Sequence, residues 1–459
     1  MPVAAGLIAG VVYLSTLSQD LTWANFGSDG GELVTASVTL GVPHPPGYPT
    51  YVLVGKLFSL LPFGGTLAYR YNLFSAVAMS FAVGLLTATS GRMINLRNPS
   101  ESKKKLSAMI IGLTYAFIPL VWSQSVIAEV YALNLAVLAT LLWFLLAPVE
   151  RQRPLVIGFL LGLAATTHLT SLILLPAIFL LVRKFSWKRF LSGFLLGLSP
   201  FLALLLLGSG SSPIIWGDPT DLSGLWWLVS AELYQPNIRH SVLSFFDSGQ
   251  SQIAAILILT FTVGIWWRKS RPIHNDSAEK LYEPVLIITA GCFFVFASFY
   301  QTNDANVMAL PGVLLLLLAM SRLIQEIGPV TLILPMMLLG LNLSTGAKID
   351  DTSPRLIGES IINSAPSEAI LISGNEQELF ALWYLQHAEG QREDLITISS
   401  DIFQFDWFRQ RLQERHPSLR KLQFDDINAF ISENNRLRPI CNVSFHDPQP
   451  IQCLPVTDY

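Results

Sequence analysis

A chain of 459 residues that is 51% hydrophobic and 13% charged, with a mean hydropathy of +0.48, carries more apolar surface than one soluble core can hide. The net charge is only -3, and the basic residues are scattered rather than interleaved with aromatics in one stripe, which excludes nucleic acid as a partner. What remains is a mainly α protein: a polytopic transmembrane helical bundle.

Taken in chain order, apolar runs bounded by charged residues, Gly or Pro predict membrane helices near Ala4 to Leu17, Leu67 to Ser90, Leu106 to Trp122, Tyr131 to Ala147, Leu155 to Thr167 and Leu169 to Val182. Further runs lie at Phe190 to Leu207, Ile253 to Trp267, Pro284 to Tyr300, Val307 to Leu323 and Val330 to Leu343. The total is about 11 spans, several of them short for a bilayer core of roughly 30 Å. The first run lacks a basic leader and a small-residue cleavage signal before Asp20, so it is expected to stay as an anchor.

Lys and Arg set the orientation, because short loops that carry them resist translocation. One set of alternate loops holds Arg92, Arg97, Lys103, Lys104, Lys105, Arg151, Arg153, Arg183, Lys184, Lys188, Arg189 and, further on, Arg268 to Arg322. The opposite set holds only Lys56, Arg70 and Arg239, and it gathers the acids Asp20, Asp29, Glu32, Glu129, Asp218 and Asp304. The acidic set is therefore expected outside the cytoplasm.

After residue 343 the composition turns polar. Residues 1–343 read as the membrane domain, and 344–459 as a small C-terminal extracytoplasmic α/β domain. Its strands are predicted at Ala369 to Ser373 and Asp394 to Ser399, and its helices at Gln377 to His387, Phe405 to Arg415 and Asp425 to Asn434. Cys441 and Cys453 fall in this domain, where an oxidising compartment favours a disulfide over two free thiols; Cys292 lies in an apolar run as a small core residue.

The residues that suggest chemistry begin right after the first apolar run, in Gly27-Ser28-Asp29-Gly30-Gly31-Glu32. Asp29 and Glu32 share one face of a turn, and the two glycines leave the backbone open to a ligand. A carboxylate there suits a general base toward a hydroxyl, but Asp-x-x-Glu before Leu33 equally fits a helix capping box. In Pro43-His44-Pro45-Pro46-Gly47-Tyr48 the prolines stiffen the backbone that presents His44 and Tyr48. Lys56 and Arg70 are the nearby cations, suited to an anionic head group or to snorkelling toward the interface. Glu129, His168 and Asp304 sit at the outer ends of predicted spans, where ionisable groups line a cavity or settle into helix contacts. Trp216-Gly217-Asp218-Pro219 joins an aromatic to a carboxylate, as sugar-binding surfaces do, or makes a plain Asp-Pro turn. Ser373-Gly374-Asn375-Glu376, after a strand, could touch a ligand, but reads more simply as a strand-to-helix turn. No Walker loop, nucleophile elbow, four-ligand Cys/His set or His-Glu-x-x-His helix is present.

Ser28-Asp29-Gly30-Gly31-Glu32-Leu33, Gly41 to Pro49 and Tyr69-Arg70-Tyr71-Asn72-Leu73 together resemble the signature of a polytopic protein O-mannosyltransferase-like family. Weaker matches follow at Glu129 to Asn134, His168, Trp216 to Pro219, Asn303-Asp304 and Leu382-Trp383-Tyr384-Leu385. The resemblance implies the GT-C glycosyltransferase architecture, a sugar moved from a polyprenyl-phosphate donor to a hydroxyl on a protein, glycan or lipid acceptor, and inversion at the sugar. It implies Asp29 as the catalytic acid of the first outer loop with Glu32 beside it, although Gly-Gly stands between acids that adjoin in related mannosyltransferases. His44, Tyr48, Lys56, Arg70, Glu129, His168, Trp216, Asp218 and Asp304 are then the expected substrate-binding residues. No cofactor is expected, and the sequence leaves divalent-metal assistance open. The site is an integral-membrane one, in the plasma membrane of a bacterium or the endoplasmic reticulum of a eukaryote. The rival function is a transporter or flippase, whose intramembrane acids would carry a substrate or protons.

Overall fold

Residues 1–94, 100–182, 185–238, 281–344 and 351–455 are described by a computed structural model. Helices occupy ten of the eleven apolar runs, and the run Ile253 to Trp267 lies outside the described residues. The early ones are α1 (Pro2–Ser15), α2 (Gly30–Thr39), α3 (Pro49–Ser59), α4 (Leu67–Ile94), α5 (Glu101–Phe117), α6 (Pro119–Ser123), α7 (Val130–Leu145) and α8 (Pro154–Thr167). Proline opens α1, α3, α6 and α8, where its missing N–H costs no hydrogen bond.

By length and composition, three helices among the described residues suffice to cross a membrane: Leu67–Ile94, Trp187–Gly208 and Tyr282–Phe299. The pair Ala305–Ala319 and Ser321–Ile327, bent by 48°, makes a fourth if it is one span. The other runs give shorter apolar helices, because the chain breaks inside them. Pro119 splits Leu106 to Trp122 into α5 and α6, and Leu169 to Val182 opens as a 3-10 turn before Leu175–Leu181. The bundle core joins α1, α4, α5, α7 and α8 to the helices after residue 281, through residues such as Tyr13, Met79, Ile111, Leu141, Leu161 and Phe293. Fully burying an aliphatic or aromatic side chain of this kind contributes roughly 1.5–3 kcal/mol.

The C-terminal part carries a four-stranded sheet in the order β2-β1-β3-β4, made of β1 (Ile370–Ser373), β2 (Ile396–Ser399), β3 (Ile440–Val443) and β4 (Ile451–Cys453). β1 pairs in parallel with β2 and β3, while β3 and β4 are antiparallel. Cys441 lies directly opposite Cys453, and the two are joined as a disulfide. The predicted strands and helices are present, together with Ser353–Ser364, β3 and β4, which the sequence reading did not include.

This sheet unit packs on α2 and its flanking loops. Leu33, Val34 and Tyr51 share one core with Ala381, Leu382 and Tyr384, and Ala36, Val42 and Trp216 share another with Leu379, Phe380 and Trp383. Around these cores Arg355 bridges Asp20 at 3.0 Å and makes a two-pronged pair with Glu389 at 2.8 and 3.0 Å. The Tyr384 hydroxyl accepts the Ala68 N–H at 3.1 Å.

Candidate active site

Gly27 to Asp29 lie in a 3-10 turn (Ala24–Asp29) that runs straight into α2, placing Asp29 at the head of that helix. No capping box forms there. The Asp29 carboxylate makes no cap hydrogen bond, and Glu32 reaches forward to His44 rather than back to the start of the helix. One Glu32 oxygen accepts the His44 backbone N–H at 3.2 Å, and the other forms a very short contact with His44 Nδ1. The opposite ring nitrogen of His44, Nε2, stands 3.6 Å from Asp29, whose second oxygen accepts a hydrogen bond from Ser28 Oγ at 3.1 Å. One imidazole is thus held between two carboxylates.

Their surroundings differ. The Glu32 side chain is wholly buried and that of His44 is 8% exposed, whereas Asp29 keeps 33% of its side chain open. Burial alone would lower His44, but the charges of Glu32 and Asp29 outweigh it and lift the imidazole to about 10. At neutral pH His44 is a cation. Desolvation lifts the Asp29 carboxyl above the usual carboxylate range, opposed by the His44 charge and reinforced by Asp304. Glu32 is likewise raised by burial and drawn down by His44.

The loop after α2 aims His44. Val42 N–H donates to Ile214 O at 2.8 Å and Trp216 N–H to Val42 O at 3.0 Å, so the Pro43 to Tyr48 loop and the Trp216 loop form a short parallel bridge. Gly47 has φ +84°, a left-handed conformation that favours glycine, and Tyr48 follows as the residue before α3. The rings of Tyr48, Trp216 and Tyr234 lie 5.2, 6.3 and 6.0 Å from His44, edge-on, and Phe380 stacks at 6.4 Å.

A second group adjoins the first. His168 stacks with Tyr48 at 6.2 Å and meets Tyr131 at 5.4 Å, and the Tyr131 hydroxyl donates to Asp304 at 3.4 Å. Glu129 is buried at the head of α7, where it accepts the Val130 N–H at 3.4 Å, and burial together with the Asp29 and Asp304 charges pushes its carboxyl up. Asp29, Glu32, His44, Tyr48, Glu129, His168, Trp216 and Asp304 are therefore neighbours, as their order along the chain does not show.

Lys56, Arg70 and Asp218 are placed differently. Lys56 Nζ donates to Val38 O at 2.6 Å, at the C-terminal end of α2, and pairs with neither Asp29 nor Glu32. Arg70 lies in the first turn of α4 with its Nε buried and without a partner among the described residues. Asp218 is paired at 2.7 Å with Arg411 of the C-terminal part.

The C-terminal part also completes the site, which the sequence reading did not anticipate. A Cβ on Gly31 would collide with the Phe380 carbonyl, and one on Gly30 would lie 3.3 Å from Ala128 O. The close approach at this Gly-Gly pair is therefore made by protein backbone. Glu376 opens the helix Glu376–Trp383, and its carboxyl is lifted to about 7 by burial, with the neighbouring Glu32 and Asp29 charges adding and His44 opposing. The Leu382 to Leu385 match pointed at this helix, though one turn past Phe380. No group of three or more His, Cys, Asp or Glu among the described residues is arranged to hold a metal ion.

The N-terminal domain of protein O-mannosyl-transferase TMEM260 matches residues 29–189, and TMEM260-associated domain 2 matches residues 355–425. The two matches contain the Asp29 loop, His44 and the Phe380 helix. The chain belongs to the protein O-mannosyltransferase-like family of TMEM260. The TMEM260 protein of Mus musculus is 25% identical over 476 residues, which cover 91% of this chain and 65% of the relative. The TMEM260 protein of Dictyostelium discoideum is 21% identical over 505 residues, covering 92% and 60%. The chain thus spans less than two thirds of the length of these curated TMEM260 relatives. The structure of ArnT from Cupriavidus metallidurans bound to undecaprenyl phosphate superposes with a TM-score of 0.53 over 88% of this chain and 90% of that one, at 13% identity. The TMEM260-like chain shares the GT-C fold of ArnT, and its own long apolar helices mark it as an integral membrane protein.

Proposed function

We propose that this protein is a membrane glycosyltransferase that moves a mannose-like sugar from a polyprenyl-phosphate donor to a hydroxyl acceptor on the extracytoplasmic side, with Asp29 as the general base. The observation that carries this reading is the partly open Asp29 carboxylate, fixed between Ser28 and the buried His44–Glu32 pair at the head of α2. The O-mannosyl-transferase activity for which the relatives are named supports mannose transfer, and the undecaprenyl phosphate bound to ArnT supports the donor class.

A carboxylate whose proton affinity is raised by desolvation is a better base than one in water, and the charge of the nearby His44 opposes that rise. Asp29 takes the proton of the acceptor hydroxyl as its oxygen bonds to the sugar's anomeric carbon. The bond from that carbon to the phosphate breaks on the opposite face, which inverts the centre and releases the lipid phosphate. Arg70, with its unpartnered Nε, suits the leaving phosphate better than Lys56, which is held on the Val38 carbonyl. Glu32 is a positioning residue: it locks both the backbone and the ring of His44, and His44 in turn faces Asp29. Because the leaving group is already a phosphate, the reaction is proposed to need neither a nucleotide nor another cofactor.

The test is a sugar-transfer assay with the purified full chain and a panel of radiolabelled polyprenyl-phosphate sugars. Transfer is expected from the mannose donor with the opposite anomeric configuration in the product. Turnover with none of the panel, or retained configuration, rules the reading out.

A further inference from the structure

A cavity of about 450 Å³ lies between residues 211–216 and the C-terminal part, within the usual range of roughly 300–1,000 Å³ for a small-ligand pocket. None of the acids of the Asp29 group lines it; Trp216 alone belongs to both places. Three indoles, of Trp216, Trp383 and Trp407, supply flat apolar wall, with the Trp216 and Trp407 rings 5.5 Å apart.

The polar part of the wall is rich in donors and poor in acceptors. Trp216 Nε1, Trp407 Nε1 and Arg411 Nε are buried with no hydrogen-bond partner among the described residues, and Trp216 is 0% exposed. Buried donors left unpaired are costly and call for an acceptor. The charge is equally one-sided. Arg411 is answered by Asp218, but Arg415 bonds only the Ser212 carbonyl, and the wall's one acid, Glu393, is exposed. Burial, reinforced by the Arg415 charge, holds His387 down to about 4, and burial with the nearby arginines also holds His416 below the ordinary imidazole value.

We propose that this cavity binds an acidic saccharide, a sugar ring bearing a carboxylate or a phosphate. The ring lies against the indoles, its hydroxyl oxygens answer the unpaired N–H groups, and its anion meets Arg415. The site is separate from the transfer step, since the Trp216 indole stands between it and His44. A ligand here would hold the Trp216 loop against the C-terminal part.

The experiment titrates the full chain in detergent with glucuronic acid, glucose 6-phosphate, glucose, inorganic phosphate and an acidic tetrapeptide, read by calorimetry. At least one acidic sugar is expected to saturate with a Kd tenfold or more below that of glucose, and the two acidic arms tell carboxylate from phosphate. Arg415→Gln should lose at least tenfold in affinity for the acidic sugar and nothing for glucose, Arg415→Lys should recover much of it, and Trp407→Phe should weaken both sugars. Asp29→Asn should bind as the parent does, which separates this site from the reaction. Glucose binding as tightly as the acidic sugars, inorganic phosphate matching the sugar phosphate, the peptide outcompeting every sugar, or no saturable binding at all would each overturn the proposal.

Discussion

Two loops of this molecule carry a carboxylate among glycines and aromatics, one at Asp29 and one at Asp218, and their acids have different partners. Asp218, with 42% of its side chain exposed, is tied to the Arg411 guanidinium. Among the described residues Asp29 meets no guanidinium or ammonium: its neighbours are a serine hydroxyl and the His44 imidazole that Glu32 already occupies. The first arrangement ends in a closed ion pair. The second leaves an anion with an open side and a fixed position, which is what a base toward an incoming hydroxyl requires. Partners acquired from distant chain segments, rather than the local motif, separate the two loops.

The sharpest way to break this contrast is Asp29→Asn. It should lower transfer by about 10²- to 10⁴-fold, the usual contribution of a positioned base, while the thermal midpoint stays put; a variant that is folded and fully active would remove Asp29 from the reaction. Next comes Gly31→Ala, which forces a methyl group against the Phe380 carbonyl. Overpacking of this kind costs about 1–3 kcal/mol, so both the thermal midpoint and transfer should fall, and an unchanged midpoint would show that the two backbones are free to part.

A smaller effect belongs to Glu376. Its folded carboxyl is raised to about 7 from an ordinary value near 4.5, so the folded state keeps a proton that the unfolded chain gives up. The stabilising contribution is fully present below the ordinary value and is lost as pH rises through about 7. Thermal midpoints between pH 5.5 and 8.5 should therefore decline in the parent and flatten in Glu376→Gln; parallel curves would contradict the assignment. Asp218→Asn should do least. A half-exposed pair is worth about 0–1 kcal/mol, so transfer should stay within roughly twofold, and a tenfold drop would put the Trp216 loop in the reaction itself.

The sequence made the helical bundle legible because long apolar runs have few other fates. It over-read their continuity, since Pro119 and the bend between Ala319 and Ser321 divide runs that hydropathy alone joins. The Asp29, Glu32 and His44 neighbourhood was visible as a cluster within one short stretch. That Glu32 serves His44 was not, because a capping box uses the same spacing and only the return of the Pro43 to Tyr48 loop decides between them. Phe380 and Tyr234 were hidden for a different reason: each is an ordinary aromatic in a short helical turn or helix until long-range packing brings it to His44, and Glu376 stood only in a stretch weighed as a possible ligand contact. β3 and β4 escaped because they are three or four residues long, with Asn442 and Gln452 facing each other in the register.

The contact between Gly31 and Phe380 also orders events in time. The Asp29 loop leaves the ribosome about 350 residues ahead of the Phe380 backbone that packs on it. At about 5–20 residues per second, synthesis leaves the Asp29 loop uncovered for tens of seconds, and closing so long a loop adds its own entropic cost. A nascent chain therefore displays the Asp29 loop before the Glu376–Trp383 helix can pack on it.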